Sequence, residues 1–378
     1  MGSSTQRAKE SAQARGLKPG TFAYRLRVFL NLVRFEHTVF ALPFAYIGMV
    51  LAADGLPTLW QFVWVTVAMA AARTLAFAVN RLADRTYDAV NPRTRNRPTV
   101  TGAIEAGTVT RYAAVSLVVL LIAAALLDPL ALKLAPVAVL FLVGYSFTKR
   151  FTVLAHWVLG FTDALAVGGG WIAVRGSFFA PEDLPAWLLI GAVTFWIAGF
   201  DLIYACQDVE HDRSEGLYAW PARRGIASAL GLSRLNHVAF LGFLTLAGLA
   251  LALAWPYYAA ALVTALLLVY EHRLVSPDDL SRVNMAFFNM NSYIALTLLA
   301  GALGAVSVSY THLRAHETVL DLVCRLLLEK KKHHDRNQPP AFHYTKPYTK
   351  PEPRTTPSNH PAPTHVTLSV ICCHVQRK

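Results

Sequence analysis

Charged residues are scarce in this 378-residue sequence, where Asp, Glu, Lys and Arg together make up 15% of the chain. Hydrophobic residues make up 54%, and the mean hydropathy is +0.39. Cysteine is also rare, and its four copies show no metal-ligand spacing. One soluble core does not need so much apolar material, so the composition indicates a membrane protein.

Two further patterns are missing. The first 24 residues contain no apolar core that could act as a cleavable signal. The apolar runs lack the alternation typical of β-barrel strands, which leaves helices as the membrane-spanning structure. Because about 20 apolar residues are needed to cross the hydrocarbon layer, we predict an all-α polytopic membrane bundle of about nine transmembrane helices. The approximate spans are 38–53, 60–79, 113–127, 130–147, 154–174, 186–206, 237–254, 256–270 and 285–306.

The positive charge is sorted by loop. Lys and Arg crowd the N-terminal arm and the second, fourth and sixth loops, whereas the odd-numbered loops hold almost none. The positive-inside rule therefore places the N-terminus and the even loops in the cytoplasm, as in a bacterial-type inner membrane. The tail after residue 307 holds 11 Lys and Arg against 5 Asp and Glu, so it accounts for half of the formal charge of +12. The loop distribution explains the rest without a nucleic-acid partner.

The composition changes abruptly near residue 308. The last segment holds three of the four cysteines and eight of the thirteen histidines. We divide the chain into a basic arm (1–24), a membrane domain (25–307) and an unstructured tail (308–378). The tail is interpreted as a sequence artefact, with a natural disordered extension as the alternative.

Two acidic motifs follow apolar spans. Arg73, Asn80, Asp84 and Asp88 recur at helical spacing after the second span, provided that its helix continues. After the sixth span, Asp201, Asp208 and Asp212 have similar spacing, with Tyr204 and Glu215 on the same face. Such a pair of motifs suits a Mg²⁺-bound diphosphate, because Mg²⁺ prefers a few carboxylates plus phosphate oxygens. The alternative is a set of surface carboxylates that pair with neighbouring arginines.

Cations accompany both motifs. Arg93 and Arg97 follow the first motif, and their forked donors match phosphate geometry, although topology alone could explain them. Lys149 and Arg150 follow the fourth span and could reach the same diphosphate, and Tyr145 could add a hydroxyl or be an interfacial residue. His37 and His156 are interpreted as interfacial or packing residues rather than functional ones. The run 168–170 of glycines is interpreted as permitting close helix packing rather than binding phosphate.

These residues resemble the UbiA superfamily of intramembrane aromatic prenyltransferases over about residues 25–306. The passages that carry the likeness are RTLAFAVNRLADRTYDAVNPRTRNRP, YSFTKRF with its following VLG, FDLIYACQDVEHD and EHTVFALPFAY. The resemblance implies nine helices around a central cavity, facing acidic motifs near the cytoplasmic side, Mg²⁺, and a polyprenyl diphosphate that enters from the lipid bilayer. One departure is the pair Glu210 and His211 between the second-motif aspartates, which leaves the aspartate positions unchanged.

The resemblance also assigns residues. It implies Asp84, Asp88, Asp208 and Asp212 as metal ligands. Asn80 completes the first motif, Tyr145 and Lys149 match connecting-loop residues, and Arg73 matches an arginine seven positions before the motif asparagine. We add Arg93, Arg97, Arg150, Asp201 and Tyr204 as substrate-binding residues. Arg73 is the candidate partner for an acceptor carboxylate, with pairing to Asp201 or another carboxylate as the alternative.

The predicted function is transfer of a polyprenyl group to an aromatic acceptor, with the strongest likeness to 4-hydroxybenzoate polyprenyltransferases. The shared aspartates leave protohaem or naphthoate open as acceptors. A cation-coupled transporter predicts acids near the middle of the spans, whereas these gather at the ends of two helices. A phosphatidyl-alcohol transferase would need a DGxxAR-type signature, which is absent.

Overall fold

The computed structural model describes residues 21, 29, 30, 32, 35–308 and 326. The predicted basic arm and tail lie almost entirely outside these residues, so both predictions remain predictions. The described residues form helices and no strand, which confirms the all-α fold class. The helices are α1 Phe35–Ala53, α2 Leu59–Ala83, α3 Arg85–Val90, α4 Ala106–Leu127, α5 Pro129–Thr148, α6 Ala155–Arg175, α7 Leu184–Ala205, α8 Val209–Ser214, α9 Trp220–Arg224, α10 Ile226–Ala250, α11 Trp255–Arg273 and α12 Met285–Val308.

Within the described residues, seven helical segments are long and apolar enough to cross a membrane. They are α2, α4, α5, α6, α10, α12 and the segment Pro181–Ser214, which contains α7 and α8. The helices α1 and α11 have 19 residues each and lie where the first and eighth spans are predicted. The protein is therefore an integral membrane protein, but the predicted number of nine spans is not confirmed.

Polar side chains cap the starts of two long helices, α2 and α5. Thr58 caps α2, because its hydroxyl accepts from the Gln61 amide at 3.2 Å while the Gln61 side chain accepts from the Thr58 amide at 2.9 Å. Asp128 caps α5, because its carboxylate accepts from the Leu130 amide at 2.7 Å.

The helix α10 begins at Ile226 rather than at 237. Its first turns carry polar residues such as Ser233 and Asn236, which interrupt the apolar pattern and hide the start.

The largest core cluster joins α1, α6, α7, α10, α11 and α12. Its fully buried aromatic residues include Trp171, Trp196 and Phe240. A smaller cluster joins α2, α4 and α5 through Leu75, Leu120 and Leu142. Members of both clusters, such as Ile197 and Ala76, line the cavity that also contains the acidic motifs.

Glycines allow α1 and α6 to cross in backbone contact. A Cβ atom at Gly170 would collide with the Ala45 carbonyl oxygen, and one at Gly48 would collide with the Val167 carbonyl oxygen. Close approach through small residues is a common way to pack membrane helices. The packing interpretation of the glycine run therefore holds for Gly170, whereas a Cβ at Gly169 would meet open space.

Replacing Gly170 with Ala is expected to destabilise the bundle by about 1–3 kcal/mol, because the added methyl group overpacks a rigid backbone contact. Thermal unfolding of the detergent-solubilised protein measures the effect. Gly169→Ala is the matched control, because a methyl group added at this neighbouring position meets no atom within 4 Å. Equal melting temperatures for the two variants would contradict the contact-based explanation.

Candidate active site

Both acidic motifs lie where a helix is interrupted. Asp84 is the last residue before α3 and caps α2 with φ −93° and ψ 6°, although the Asp88 amide still donates to the Asp84 carbonyl at 2.7 Å. Asp208 ends a 3₁₀ turn, Cys206–Asp208, and directly precedes α8. The condition that the helix of the second span continues through the first motif is therefore not met, and each motif is divided between two helical segments.

One cavity of about 280 Å³ collects the predicted site residues. Its lining includes residues from α2, α3, α5, α7 and α8 and from the loops that follow α3 and α5. All thirteen predicted residues contribute to it: Arg73, Asn80, Asp84, Asp88, Arg93, Arg97, Tyr145, Lys149, Arg150, Asp201, Tyr204, Asp208 and Asp212. Glu215, predicted on the second-motif face, is exposed and is not among the lining residues.

The loop after α3 connects the two motifs. The Arg93 guanidinium binds the Asp208 carboxylate with both its Nε, at 2.9 Å from Oδ1, and its Nη2. A second donor, Nη1, reaches the Tyr204 hydroxyl at 2.8 Å. Arg97 pairs with Asp88, with Nη1 at 2.6 and 2.5 Å from the two oxygens. A cation from the first motif region thus binds the second motif directly.

The loop after α5 supplies the other two cations. The Lys149 ammonium lies 3.2 Å from Asp212 Oδ2, and Arg150 Nη2 lies 3.5 Å from Asp84 Oδ1. Asn80 donates from its amide to Asp84 Oδ2 at 2.8 Å. Each of the four predicted metal-binding carboxylates therefore faces a cationic side chain from another segment.

Burial and charge act in opposite directions on two of these groups. Burial, together with the nearby Asp88 charge, raises the pKa of Asp84, and the surrounding cations offset only part of this effect. Burial alone would lower the pKa of Lys149, but Asp212, Asp208 and Asp201 outweigh it and raise the pKa. Lys149 is therefore charged at neutral pH.

Arg73 lies deeper in the bundle and pairs with an acid that the sequence analysis did not single out. Its Nη1 is 3.0 Å from Asp163 Oδ1 and 3.2 Å from Oδ2. The sequence analysis gave pairing with Asp201 or another carboxylate as the alternative role of Arg73. The structure shows a pair with Asp163 rather than with Asp201. Asp163 could have been found from sequence, because an acid inside an apolar span is a functional candidate by default.

A second, apolar cavity of about 270 Å³ adjoins this ion pair. Arg73 and Asp163 belong to the linings of both cavities. Other lining residues come from α2, α4, α5 and α6 and include Met69, Leu120, Leu142, Phe161 and Gly169. The ion pair therefore separates a polar chamber near the motifs from an apolar chamber inside the bundle.

The sequence analysis did not assign two further residues, Asn91 and His156, to the site. The Asn91 amide donates to Asp208 Oδ1 at 3.2 Å, and no acidic spacing marks this residue in the sequence. His156, interpreted from sequence as a packing residue, lines the cavity, and its Nδ1 lies 2.6 Å from Asp201 Oδ2. The His37 side chain lies outside the described residues.

The donor set fits a magnesium site that is completed by substrate. Among the described residues, no three His, Cys, Asp or Glu side chains converge into a preformed metal cluster. This agrees with the ion pairs, because each carboxylate is held by a cation rather than by its neighbours. Four carboxylates around one cavity still offer the oxygen ligands that Mg²⁺ takes together with phosphate oxygens.

Known proteins share both sequence and fold with this chain. The chain is 32% identical over 290 residues to the 4-hydroxybenzoate octaprenyltransferase of Nitrosomonas europaea, which covers 75% of this chain and 96% of that protein. The protein of the same name from Nitrosospira multiformis is 34% identical over 259 residues, or 67% of this chain and 86% of its own.

Solved structures share the fold. The apo structure of a UbiA homolog from Aeropyrum pernix K1 has a TM-score of 0.65 and 33% identity, and covers 70% of this chain and 96% of that chain. A UbiA homolog from Archaeoglobus fulgidus, solved with DMAPP and Mg²⁺, has a TM-score of 0.53 and 20% identity, over 71% of this chain and 98% of that one. Residues 41–293 match the model of the UbiA prenyltransferase family. The chain is therefore a member of the UbiA prenyltransferase family.

Proposed function

We propose that this enzyme transfers a polyprenyl group from polyprenyl diphosphate to a ring carbon of 4-hydroxybenzoate or a closely related aromatic acid. In this proposal Asp84, Asp88, Asp208 and Asp212 hold Mg²⁺ together with the diphosphate. Relatives with the name 4-hydroxybenzoate octaprenyltransferase support both the acceptor and a long prenyl chain.

One observation carries the proposal: four carboxylates and four cations face one another around a single cavity. Mg²⁺ bound there would neutralise charge that develops on the leaving diphosphate. Its binding to the carboxylates would release the cations, which then become donors for phosphate oxygens. The same cations would thus pair with the carboxylates before substrate binds and with the phosphate oxygens afterwards.

The cations do the electrostatic work as the C–O bond of the donor breaks. Lys149, Arg150, Arg93 and Arg97 line the cavity, so the cations that leave the carboxylates are already beside the departing diphosphate. Tyr145 lines the same cavity and offers a hydroxyl to the diphosphate. Apolar residues such as Phe200 and Phe287 also line it and exclude water, which protects an allylic cation from hydrolysis.

Arg73 would hold the acceptor carboxylate. It is seven residues before Asn80 on α2, and a helix rises about 1.5 Å per residue, so it lies roughly 10 Å inside the motif. In this proposal an aromatic acid lies between the ion pair and the diphosphate, and the depth of Arg73 supports that position. Ring attack on the allylic carbon then forms the new C–C bond, after which the ring proton leaves.

The apolar chamber would receive part of the prenyl chain. Its walls are almost entirely apolar, and it begins at the Arg73–Asp163 pair where the polar chamber ends. Burial of a hydrocarbon chain there is favourable at about 25 cal/mol per Å². The donor thereby lies across both chambers, with its diphosphate at the motifs.

Filling the apolar chamber should shorten the accepted chain. Gly169→Leu places a side chain into open space in that chamber. We expect transfer from an eight-isoprene donor to fall by roughly tenfold or more, because about 1–3 kcal/mol is at stake in such apolar contacts, with a two-isoprene donor little affected. The measurement is kcat/KM for both donors in membranes.

The matched control is Gly242→Leu, on α10, at an exposed position that also meets no atom within 4 Å. It should leave the ratio of the two kcat/KM values unchanged. An equal loss for short and long donors in Gly169→Leu would place the prenyl chain elsewhere.

The orientation follows from charge. The N-terminus and the loops that carry the motifs would face the cytoplasm of a bacterial-type inner membrane, because Lys and Arg concentrate there. Protohaem or a naphthoate remains the alternative acceptor, since the diphosphate residues do not select it. The two rival classes were a transporter and a phosphatidyl-alcohol transferase. Because the chain belongs to a prenyltransferase family, no observation supports either of them.

The test uses membranes that contain the full chain. Aromatic acids that include 4-hydroxybenzoate and a naphthoate, and protohaem, are each incubated with polyprenyl diphosphates of several lengths, with and without Mg²⁺. Mass spectrometry is expected to detect prenylated 4-hydroxybenzoate only when Mg²⁺ is present. Products from protohaem or the naphthoate alone would refute the proposed acceptor, and transfer unchanged by metal removal would refute the metal site.

A further inference from the structure

His156 has two defined hydrogen-bond partners. It is the second residue of α6 and is fully buried. Its Nε2 accepts from the backbone amide of Trp220 at 3.2 Å, and its Nδ1 lies 2.6 Å from Asp201 Oδ2. A backbone amide can only donate, so Nε2 must be unprotonated, and the proton of the neutral ring is on Nδ1. His156 therefore donates to Asp201.

Asp201 differs from the four motif carboxylates that pair with Lys or Arg. Within residues 35–308 its ion-pair partner is His156, yet it lines the same cavity with a partly exposed side chain. It lies on α7, seven residues before Asp208, just as Arg73 lies seven residues before Asn80 on α2, so both lie about two helical turns inside the motifs. Asp201 is thus at the depth of the proposed acceptor rather than of the diphosphate.

The segment after the second motif, residues 217–220, is held by backbone hydrogen bonds and contacts His156. The Leu217 amide donates to the Asp212 carbonyl at 2.8 Å, and the Tyr218 amide donates to the Lys149 carbonyl at 2.7 Å. Trp220 then meets His156, and its ring contacts the Trp157 ring edge-on at 6.0 Å. His156 is consequently held at one nitrogen by the backbone, which leaves the other nitrogen to set the direction of Asp201.

We propose that His156 is a positioning residue that keeps one Asp201 oxygen directed into the cavity, where it accepts a hydrogen bond from the hydroxyl group of the aromatic acceptor. This inference rests on the proposed function. It defines the acceptor as an aromatic ring with an acidic group for Arg73 and a hydroxyl for Asp201. A hydrogen bond from that hydroxyl to a carboxylate raises the electron density of the ring and favours attack on the allylic carbon.

Two substitutions of His156 separate positioning from packing. His156→Gln retains an amide donor for Asp201 and a carbonyl acceptor for the Trp220 amide, whereas His156→Leu retains neither. We expect His156→Leu to lower kcat/KM for 4-hydroxybenzoate by roughly 10- to 100-fold, the range for a lost hydrogen bond to a charged group. KM for the polyprenyl diphosphate and the Mg²⁺ dependence should stay unchanged, and His156→Gln should recover most of the activity.

His237→Leu is the matched control. His237 is also a buried histidine in a membrane helix, with Nδ1 2.9 Å from His272 Nε2, but it does not line the cavity. Any loss that comes from general disturbance of the bundle should appear in this variant and affect both substrates equally. Thermal unfolding of each variant reports whether the protein is folded.

A double variant tests whether His156 acts through Asp201. Asp201→Asn alone should reproduce the acceptor-specific loss, and His156→Leu should then add little, because the two residues form one unit. Additive losses, equal losses for donor and acceptor, or normal activity of Asp201→Asn would overturn the proposal. If His156→Leu does not fold, His156→Gln and Asp201→Asn still decide it. A folded wild-type enzyme that prenylates no hydroxylated aromatic acid would refute the proposed function as well.

Discussion

Asp84→Asn and Asp208→Asn are each expected to reduce prenyl transfer by roughly 100- to 1,000-fold, the range for loss of a group that stabilises developing charge. Asparagine keeps the size of the side chain but removes the charge that would attract Mg²⁺. The loss should be larger at limiting Mg²⁺ than at saturating Mg²⁺. Initial rates with 4-hydroxybenzoate and a long polyprenyl diphosphate, measured across a Mg²⁺ series, provide the test.

Asp278→Asn is the matched control for this chemical change. Asp278 is exposed, follows α11 and does not line the cavity. Its substitution should leave both the rate and the Mg²⁺ dependence as in the wild type. Near wild-type turnover of Asp84→Asn or Asp208→Asn at limiting Mg²⁺ would show that the metal assignment is wrong.

Arg73→Met is expected to raise KM for 4-hydroxybenzoate by roughly 100-fold, because a charge-assisted hydrogen bond contributes about 1.5–3 kcal/mol. It should also destabilise the fold, since Asp163, whose side chain is 20% exposed, loses the cation that neutralises it inside the bundle. The two effects can be separated. KM for the diphosphate should not change, because Arg73 lies away from the motif aspartates.

The double variant Arg73→Met with Asp163→Leu removes both charges. Replacing a buried ion pair with apolar residues is often neutral or stabilising, so thermal unfolding should return towards the wild-type temperature. Transfer to 4-hydroxybenzoate should remain low, and should be no faster than transfer to a phenol without the carboxylate. Recovery of 4-hydroxybenzoate turnover in the double variant would show that Arg73 serves only to neutralise Asp163.

The fold class could be predicted from sequence because lipid restricts the options for a long apolar chain. The ends of the spans could not be predicted in the same way, and α10 is an example. Its first turns carry Ser233, Arg234 and Asn236, which are typical of a loop when only the length of the apolar run is considered. Arg234 is exposed, whereas Ser233 and Asn236 are buried and have partners inside the bundle. The Asn236 side chain, for example, accepts from the Trp157 indole at 2.9 Å.

The site could be predicted where helical spacing brings residues of one segment together. The thirteen predicted residues line one cavity, but their pairing across segments was not predictable, since Arg93 with Asp208 and Arg73 with Asp163 are far apart in the chain. His156 was missed for the same reason. An isolated histidine near an apolar span carries no local signal, and only the fold brings Asp201 and Trp220 to its two nitrogens.

The one-to-one matching of acids and bases in the polar chamber has a thermodynamic consequence. A lone metal ion would have to displace a lysine or arginine from every carboxylate it takes, and a lone diphosphate would have to strip the same side chains from their acids. When both arrive, each displaced group finds a new counterion, so the two binding events favour one another. Linkage requires this coupling to be reciprocal: the ion tightens the hold on diphosphate by the same factor as diphosphate tightens the hold on the ion.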